Sequence, residues 1–410
     1  MRTIRTLLLC GLAALPAAAQ TPEQDTARAL ATLPPGAHAP AADDPALILT
    51  KRLDLEKYKA TIKGLTRYGD RRQGTQRNRD ALDWIEKQLK SYGCTNTERV
   101  TYQFGEERTH YVAPAAARPD EVHFNVGGGR ARGYATPTGV NTDPMKQPDA
   151  KLRALDTPPA VPGDRQDVYC TKVGSTHPEE MYIVAAHMDG IGWGEAANDD
   201  GSGTALVMEL ARVFSSPDVN TDRSIRFVLW NNEETGLNGA AAYVAQRAGL
   251  QGKQDAKGNY PEPKWLGMIQ HDMMMFDHGM PHADGTMSKE QRPEADVNIE
   301  FQSNSKMADG AQKLAWAVQD ANEHYATDYP AQVGRHMTNT DSTPFQDLVP
   351  AISLRENERG AQVGNGWDPQ WHQPTDLYST YNDKDFRLGL NAAQTTLSAM
   401  AVLAGAKVGK

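Results

Sequence analysis

The stretch AAHMDGIGWGEAANDDGSG (Ala185–Gly203) decides how the rest of this 410-residue chain is read. It continues an apolar run, so that MYIVAAHMD (Met181–Asp189) has the composition of a strand covered on both faces. The stretch then offers one histidine, four acidic residues and five glycines. A buried strand that ends in His187 and Asp189 delivers polar chemistry to the end of an apolar element. The Asn-Asp-Asp-Gly turn brings Asp199 and Asp200 close behind it. The following GTALVMELARVFSS places Leu206, Leu210 and Val213 on one helical face.

The same grammar recurs outward. RNRDALDWIEKQLKSYG carries Ala81, Ile85 and Leu89 at i, i+4 and i+8, a helix stopped by Gly93. CTNTERVTYQF, DVYCTKVG, SIRFVLWNNEE, WLGMIQHDMMMF and PAISLRE read as strands. GLNGAAAYVAQRAG, MADGAQKLAWAVQDANEHYA and DKDFRLGLNAAQTTLSAMAVLAG read as helices. Strands alternating with helices predict an α/β/α three-layer sandwich around a mixed, mostly parallel sheet, with ligands bound beyond the carboxyl ends of the strands. Residues 105–163 form a Pro- and Gly-rich insertion between two strands. Residues 20–50 read as a loosely ordered arm, and regular structure begins near Pro45. The folded domain is expected over 51–410.

Residues 1–19 read as a signal peptide. Arg2 and Arg5 precede the short apolar run Leu7–Leu15, and Ala17-Ala18-Ala19 offers a cleavage site. The run is too short to span a bilayer and no later run is long and apolar enough, so an exported protein without a membrane anchor is expected. A net charge of −9 argues against nucleic acid as partner. Cleavage removes Cys10 and leaves Cys94 and Cys170 where disulfides persist. They sit at the two strands that flank the insertion, and a bond between them is predicted.

Several predicted strands end in groups able to hold a metal. After His187 and Asp189 come Asp199 and Asp200, then Glu233 and Glu234 behind RFVLWNN, Asp272 behind GMIQH, and His372 in WDPQWHQPTD. Two imidazoles, several carboxylates and no thiolate make an oxygen-rich zinc set. His271 serves as a control, because strand neighbours face opposite ways and it must turn from the site that Asp272 faces.

Taken in order, AAHMDG, ANDDGSGTALVMELAR, NNEETGLNGAAAYV, HDMM and WHQPTD resemble the secreted zinc aminopeptidases and carboxypeptidases of family M28 over about residues 55–405. The resemblance implies two Zn2+ ions and peptide substrates. It implies His187 and Asp272 on the first ion, Asp199 bridging, Glu234 and His372 on the second, and Glu233 as general base. It also implies a cis peptide bond between Asp199 and Asp200. Asp189 would lie behind His187: its i+2 spacing along the strand places it on the same face, where it would accept the other ring N–H. Adjacent glutamates suit such chemistry, one turned to a metal and one to the water whose proton must be taken.

The chain departs from the family in NTDSTPF, which keeps Asp341 but has Ser342 where many members have histidine. Met337 stands where a tyrosine often meets the substrate carbonyl; His336, Tyr378 and Tyr381 are the candidate substitutes. An aminopeptidase is the leading expectation. A carboxypeptidase or dipeptidase on the same fold would need a cation such as Arg355 or Arg359 for the terminal carboxylate. A glutaminyl cyclase would use one zinc, and a binding protein on a decayed peptidase fold would have lost ligands.

Overall fold

The computed structural model describes residues 40–105, 140–156, 162–279, 288–292, 296–334, 340–356 and 368–409, of which 41 onward belong to one unit. The signal peptide, most of the arm, residues 106–139 of the insertion, His336, Met337 and Arg359 lie outside the described residues.

In chain order the elements are α1 (Pro45–Thr50), α2 (Leu55–Thr66), α3 (Gln76–Ser91), β1 (Glu98–Phe104), α4 (Ala150–Leu155), β2 (Gly163–Lys172), β3 (His177–His187), α5 (Gly201–Phe214), β4 (Val219–Thr221), β5 (Arg223–Trp230), α6 (Asn238–Arg247), β6 (Lys264–His271), β7 (Val297–Phe301), α7 (Ala308–Tyr325), β8 (Ala331–Gly334), β9 (Ala351–Arg355), α8 (Asp383–Leu403) and β10 (Ala406–Val408). Local chemistry marks the helix ends. Thr75 caps α3 by accepting the Asn78 N–H, and the chain leaves that helix through Gly93 at φ 94°. Asn382 and Asp385 close a capping box on α8. Ala46 and Leu49 of α1 are buried in the core, so the folded unit reaches back into the stretch read as an arm.

Eight strands form one sheet in the order β1-β2-β5-β3-β6-β9-β7-β8. The centre, β5-β3-β6-β9, is parallel, and β2 and β1 add antiparallel on one side. On the other side β7 is antiparallel to β9 and parallel to β8. Successive residues of the central strands alternate between two apolar layers. Val184, Ala186, Phe227 and Leu229 join the larger layer with α1, α2, α3, α5, α7 and α8. Ile183, Ala185, Val228 and Trp230 join the smaller one with α6. Trp230, Tyr243, Trp265 and Phe345 pack there with ring centroids such as 5.2 Å for Trp230–Tyr243 and 5.3 Å for Trp265–Phe345. Such pairs add about 0.5–1.5 kcal/mol each beyond their burial.

Cys94, in the turn after α3, is bonded to Cys170 of β2, with Cα atoms 6.0 Å apart. The bond spans the 76-residue separation that holds the insertion. On the chain-entropy account, closing a loop of that size stabilises by about 4 kcal/mol. The double variant Cys94→Ala/Cys170→Ala is therefore expected to unfold at clearly lower urea than the wild type. A midpoint equal to that of the wild type would show that the crosslink contributes nothing.

Candidate metal centre

The site forms where three adjacent parallel strands end. His187 is the last residue of β3, Glu233 and Glu234 follow β5, and Asp272 follows β6. The registers His187↔Trp230 and Ala186↔His271 bring the three ends level. Asp199 comes from the loop that opens α5, and His372 from the loop between β9 and α8.

These groups meet in a pattern with two centres. His187 Nε2 lies 3.4 Å from Asp199 Oδ1 and 3.9 Å from Asp272 Oδ1. His372 Nε2 lies 3.0 Å from Asp199 Oδ2 and 2.9 Å from Glu234 Oε2. Asp199 thus turns one oxygen to each imidazole. Donor atoms of His187, Glu233 and Asp272 all lie within 4.8 Å of one another, as do those of His187, Asp199 and Glu234. Glu234 Oε1 is buried without a hydrogen-bond partner, and Asp199 Oδ2 faces only the His372 ring. Oxygens left this way suit a cation better than a proton donor.

The loops are held by groups that are themselves buried. The Asp199–Asp200 peptide bond is cis. Asp200 accepts the N–H groups of His187 (3.2 Å), Gly203 (2.9 Å) and Met273 (3.1 Å), tying β3, α5 and the end of β6 together. Asp376 accepts the N–H groups of Asn198 (2.9 Å) and Asp199 (3.1 Å). Arg71, fully buried, donates to the carbonyls of Met188, Glu195 and Ala196, each at 2.8 Å. It closes the loop between His187 and Asp199 with one planar fork. Gly192 is required by space as well as by its φ of 103°, since a Cβ there would lie 2.4 Å from the His372 carbonyl.

Asp189 plays a different part from the one its spacing suggests. His187 Nδ1 meets the Asp189 backbone carbonyl at 3.0 Å, whereas the nearer carboxylate oxygen is 3.8 Å away. That oxygen accepts the Glu233 N–H at 3.0 Å instead. The ring is still oriented from behind, and the carboxylate fixes the glutamate pair. Asp341 is fully buried, with Oδ1 unpartnered and Gln270 Nε2 3.5 Å from Oδ2; burial and the nearby Glu233 charge push its carboxyl well above the usual range.

The electrostatics are those of a site built for cations. Asp189, Asp199, Asp200, Glu233, Glu234, Asp272 and Asp341 gather around His187, His372 and Arg355. Burial, and then carboxylate neighbours, push Glu233 well above its usual range and Glu234 up to about 7. Burial works against charge on the histidines, yet Glu233 holds His187 well above its usual range and Glu234 and Asp199 bring His372 to about 10. Asp199 stays low despite burial because both imidazoles face it. Dications would balance these carboxylates more fully than the imidazoles do.

Other sequence candidates fall outside this constellation. His271 turns from it, with Nδ1 on the Ala185 carbonyl and Nε2 on Thr396 Oγ1. Tyr381 is buried, its hydroxyl bonded to Asp368 (2.9 Å) and Asp376 (3.0 Å), so it is not free to meet a substrate. The Tyr378 ring packs on Phe386. Arg355 is no surface residue: it is 2% exposed and donates to Asp272 Oδ2 at 2.6 Å. Arg71, Asp200 and Asp376 were missed as supports. Asp376 had a signal in its place in the WHQPTD motif and Asp200 in ANDDGSG; Arg71 had none.

Comparison with known proteins places the chain in a family. The aminopeptidase YwaD of Bacillus subtilis is 46% identical over 68 residues, which are 17% of this chain and 14% of that protein. Carboxypeptidase Q of Xenopus laevis is 34% identical over 93 residues, 23% of this chain and 19% of that protein. The matches thus span less than a fifth of either relative. The solved aminopeptidase from Aneurinibacillus sp. strain AM-1 superposes with a TM-score of 0.54 at 21% identity, covering 90% of this chain and 97% of that one, a likeness of fold. The family model described as "Peptidase family M28" matches residues 167–395, more than half of the chain. The chain belongs to peptidase family M28.

Proposed function

We propose that the chain is a zinc aminopeptidase that uses two zinc ions to release the N-terminal residue of peptides with a free α-amine. The split of Asp199 carries this reading, with Oδ1 3.4 Å from His187 Nε2 and Oδ2 3.0 Å from His372 Nε2. One carboxylate between two imidazoles is the arrangement that would suit a pair of dications. His187, Asp199 and Asp272 would hold one ion; Asp199, Glu234 and His372 would hold the other. Such a pair, when bound, polarises a scissile carbonyl and makes water nucleophilic near neutral pH.

The remaining work falls to the chain. Glu233 takes the proton of the attacking water and passes it to the leaving amine. Burial raises its proton affinity, which suits a base that must carry a proton between two steps. Asp189 steadies it through the Glu233 N–H. A pocket rich in carboxylates attracts an α-ammonium. A carboxypeptidase needs a cation aimed at the terminal carboxylate; among the described residues the candidate Arg355 is held on Asp272 instead, and Arg359 lies outside them. Retention of both donor sets speaks against the one-zinc glutaminyl cyclase. We further propose export, for which the Cys94–Cys170 bond is the support.

Three outcomes test the reading. Leucine p-nitroanilide is expected to be cleaved and N-acetyl-leucine p-nitroanilide to be left intact; equal rates would remove the aminopeptidase assignment. Dialysis against 1,10-phenanthroline is expected to abolish turnover and lower the melting temperature, with both restored at two equivalents of zinc. Restoration at one equivalent would remove the second ion. Glu233→Gln is expected to keep zinc bound, by elemental analysis, while kcat falls by about 10²–10⁴-fold. Wild-type kcat in the loaded variant would assign the base elsewhere.

A further inference from the structure

A segment of the insertion reaches the metal centre. Asn141 donates its backbone N–H to the His372 carbonyl at 3.0 Å and its side-chain amide to the Gly192 carbonyl at 3.3 Å. Gln147 is 1% exposed, and its Nε2 donates to the carbonyls of Trp193 (2.7 Å) and Pro374 (3.0 Å). Its Oε1 accepts the Asp149 N–H at 3.1 Å, so the neighbours dictate the orientation of the amide. The far end is also tied: Asp156 accepts the Asp70 N–H at 3.1 Å and lies 3.6 Å from Arg77 Nε.

The two loops that Gln147 joins carry the donors. One runs from His187 to Asp199, the other holds His372. Both depart from ordinary backbone at the junction, Trp193 at φ 71° and His372 at φ 58°. Non-glycine residues hold such angles only where their surroundings impose them. Here the surroundings include two N–H donors from the insertion, one on the His372 carbonyl and one on the Trp193 carbonyl.

We infer that residues 140–147 act as a clip that sets His372, with Gln147 as a positioning residue for the second metal. The inference rests on the reading of His372 as a metal ligand. A neutral amide is the right group: it donates to two carbonyls while its own oxygen is occupied. A carboxylate of the same shape would face both carbonyls with no N–H to give. A bonded support of this kind is worth about ten- to a hundredfold in metal affinity.

The test compares full-length wild type with Gln147→Ala and the near-isosteric Gln147→Glu. Zinc occupancy is measured in chelator-buffered zinc, together with amide hydrogen exchange of the zinc-free proteins. The expected result is a ten- to hundredfold loss of affinity for one zinc equivalent, the other unchanged, with faster exchange confined to the 192–194 and 371–377 loops. Unchanged affinities overturn the clip. Equal weakening of both equivalents with faster exchange throughout also overturns it, since Gln147 would then serve only general stability. If the wild type binds a single zinc, the two-metal reading fails, and the exchange data still decide the clip: unchanged exchange in 371–377 in Gln147→Glu overturns it.

Discussion

Like charge crowded out of water is the condition on which this site depends. Asp189, Asp199, Asp200, Glu233, Glu234, Asp272 and Asp341 converge at the ends of three strands, and the histidines and Arg355 supply too little positive charge to balance them. A buried carboxylate is tolerated only when it is protonated, hydrogen-bonded or bound to a cation. Different positions meet this condition in different ways. Asp200 and Asp376 are satisfied by backbone N–H groups, and Glu234 leans toward protonation. Glu234 Oε1 keeps no hydrogen-bond partner, Asp199 Oδ2 faces the His372 ring alone, and Asp189 Oδ2 and Asp341 Oδ1 behind them are also unpartnered. Carboxylate oxygens in excess of the donors around them distinguish a cluster suited to a cation from an ordinary polar core.

The α/β architecture makes that concentration possible. Parallel strands all end on one side, so each central strand can contribute a donor without bending the sheet. The alternation of the two apolar layers pins the register, because a slip of one residue would exchange the faces of Val184 and Ala185. Helix α5 is buried along nearly its whole length, and its cap, Asp200, also holds the ends of β3 and β6. Position at the donors is therefore set by the core, with the loops trimmed to shape by Arg71, Asp376 and the insertion.

Much of this was legible in the residues. The central strands announced themselves as apolar runs, and their polar ends stood out against that background. His372 had no such contrast; only its place in an ordered set of motifs marked it. Strand β7 went unread although VNIEF alternates apolar and polar residues: at five residues the alternation is too short to stand out, and all five are buried. Arg71 and Arg355 were illegible for a related reason. A charged side chain in a polar segment reads as surface, and only tertiary structure shows it beneath a loop or on Asp272. The role of Asp189 went astray because the i+2 rule was carried past the end of the strand. β3 stops at His187, and the chain turns before Asp189 points anywhere.

The donors are scattered from His187 to His372, nearly half the length of the chain, and no two neighbouring motifs hold a complete set. A partly folded intermediate can present at most a histidine with an aspartate, or a pair of glutamates, on a flexible segment. Closing the intervening loops costs entropy that local contacts do not return. Assembly of the complete donor set is therefore a late event, open only to chains whose whole sheet is in order. The assembled site and the correctly assembled sheet become the same population.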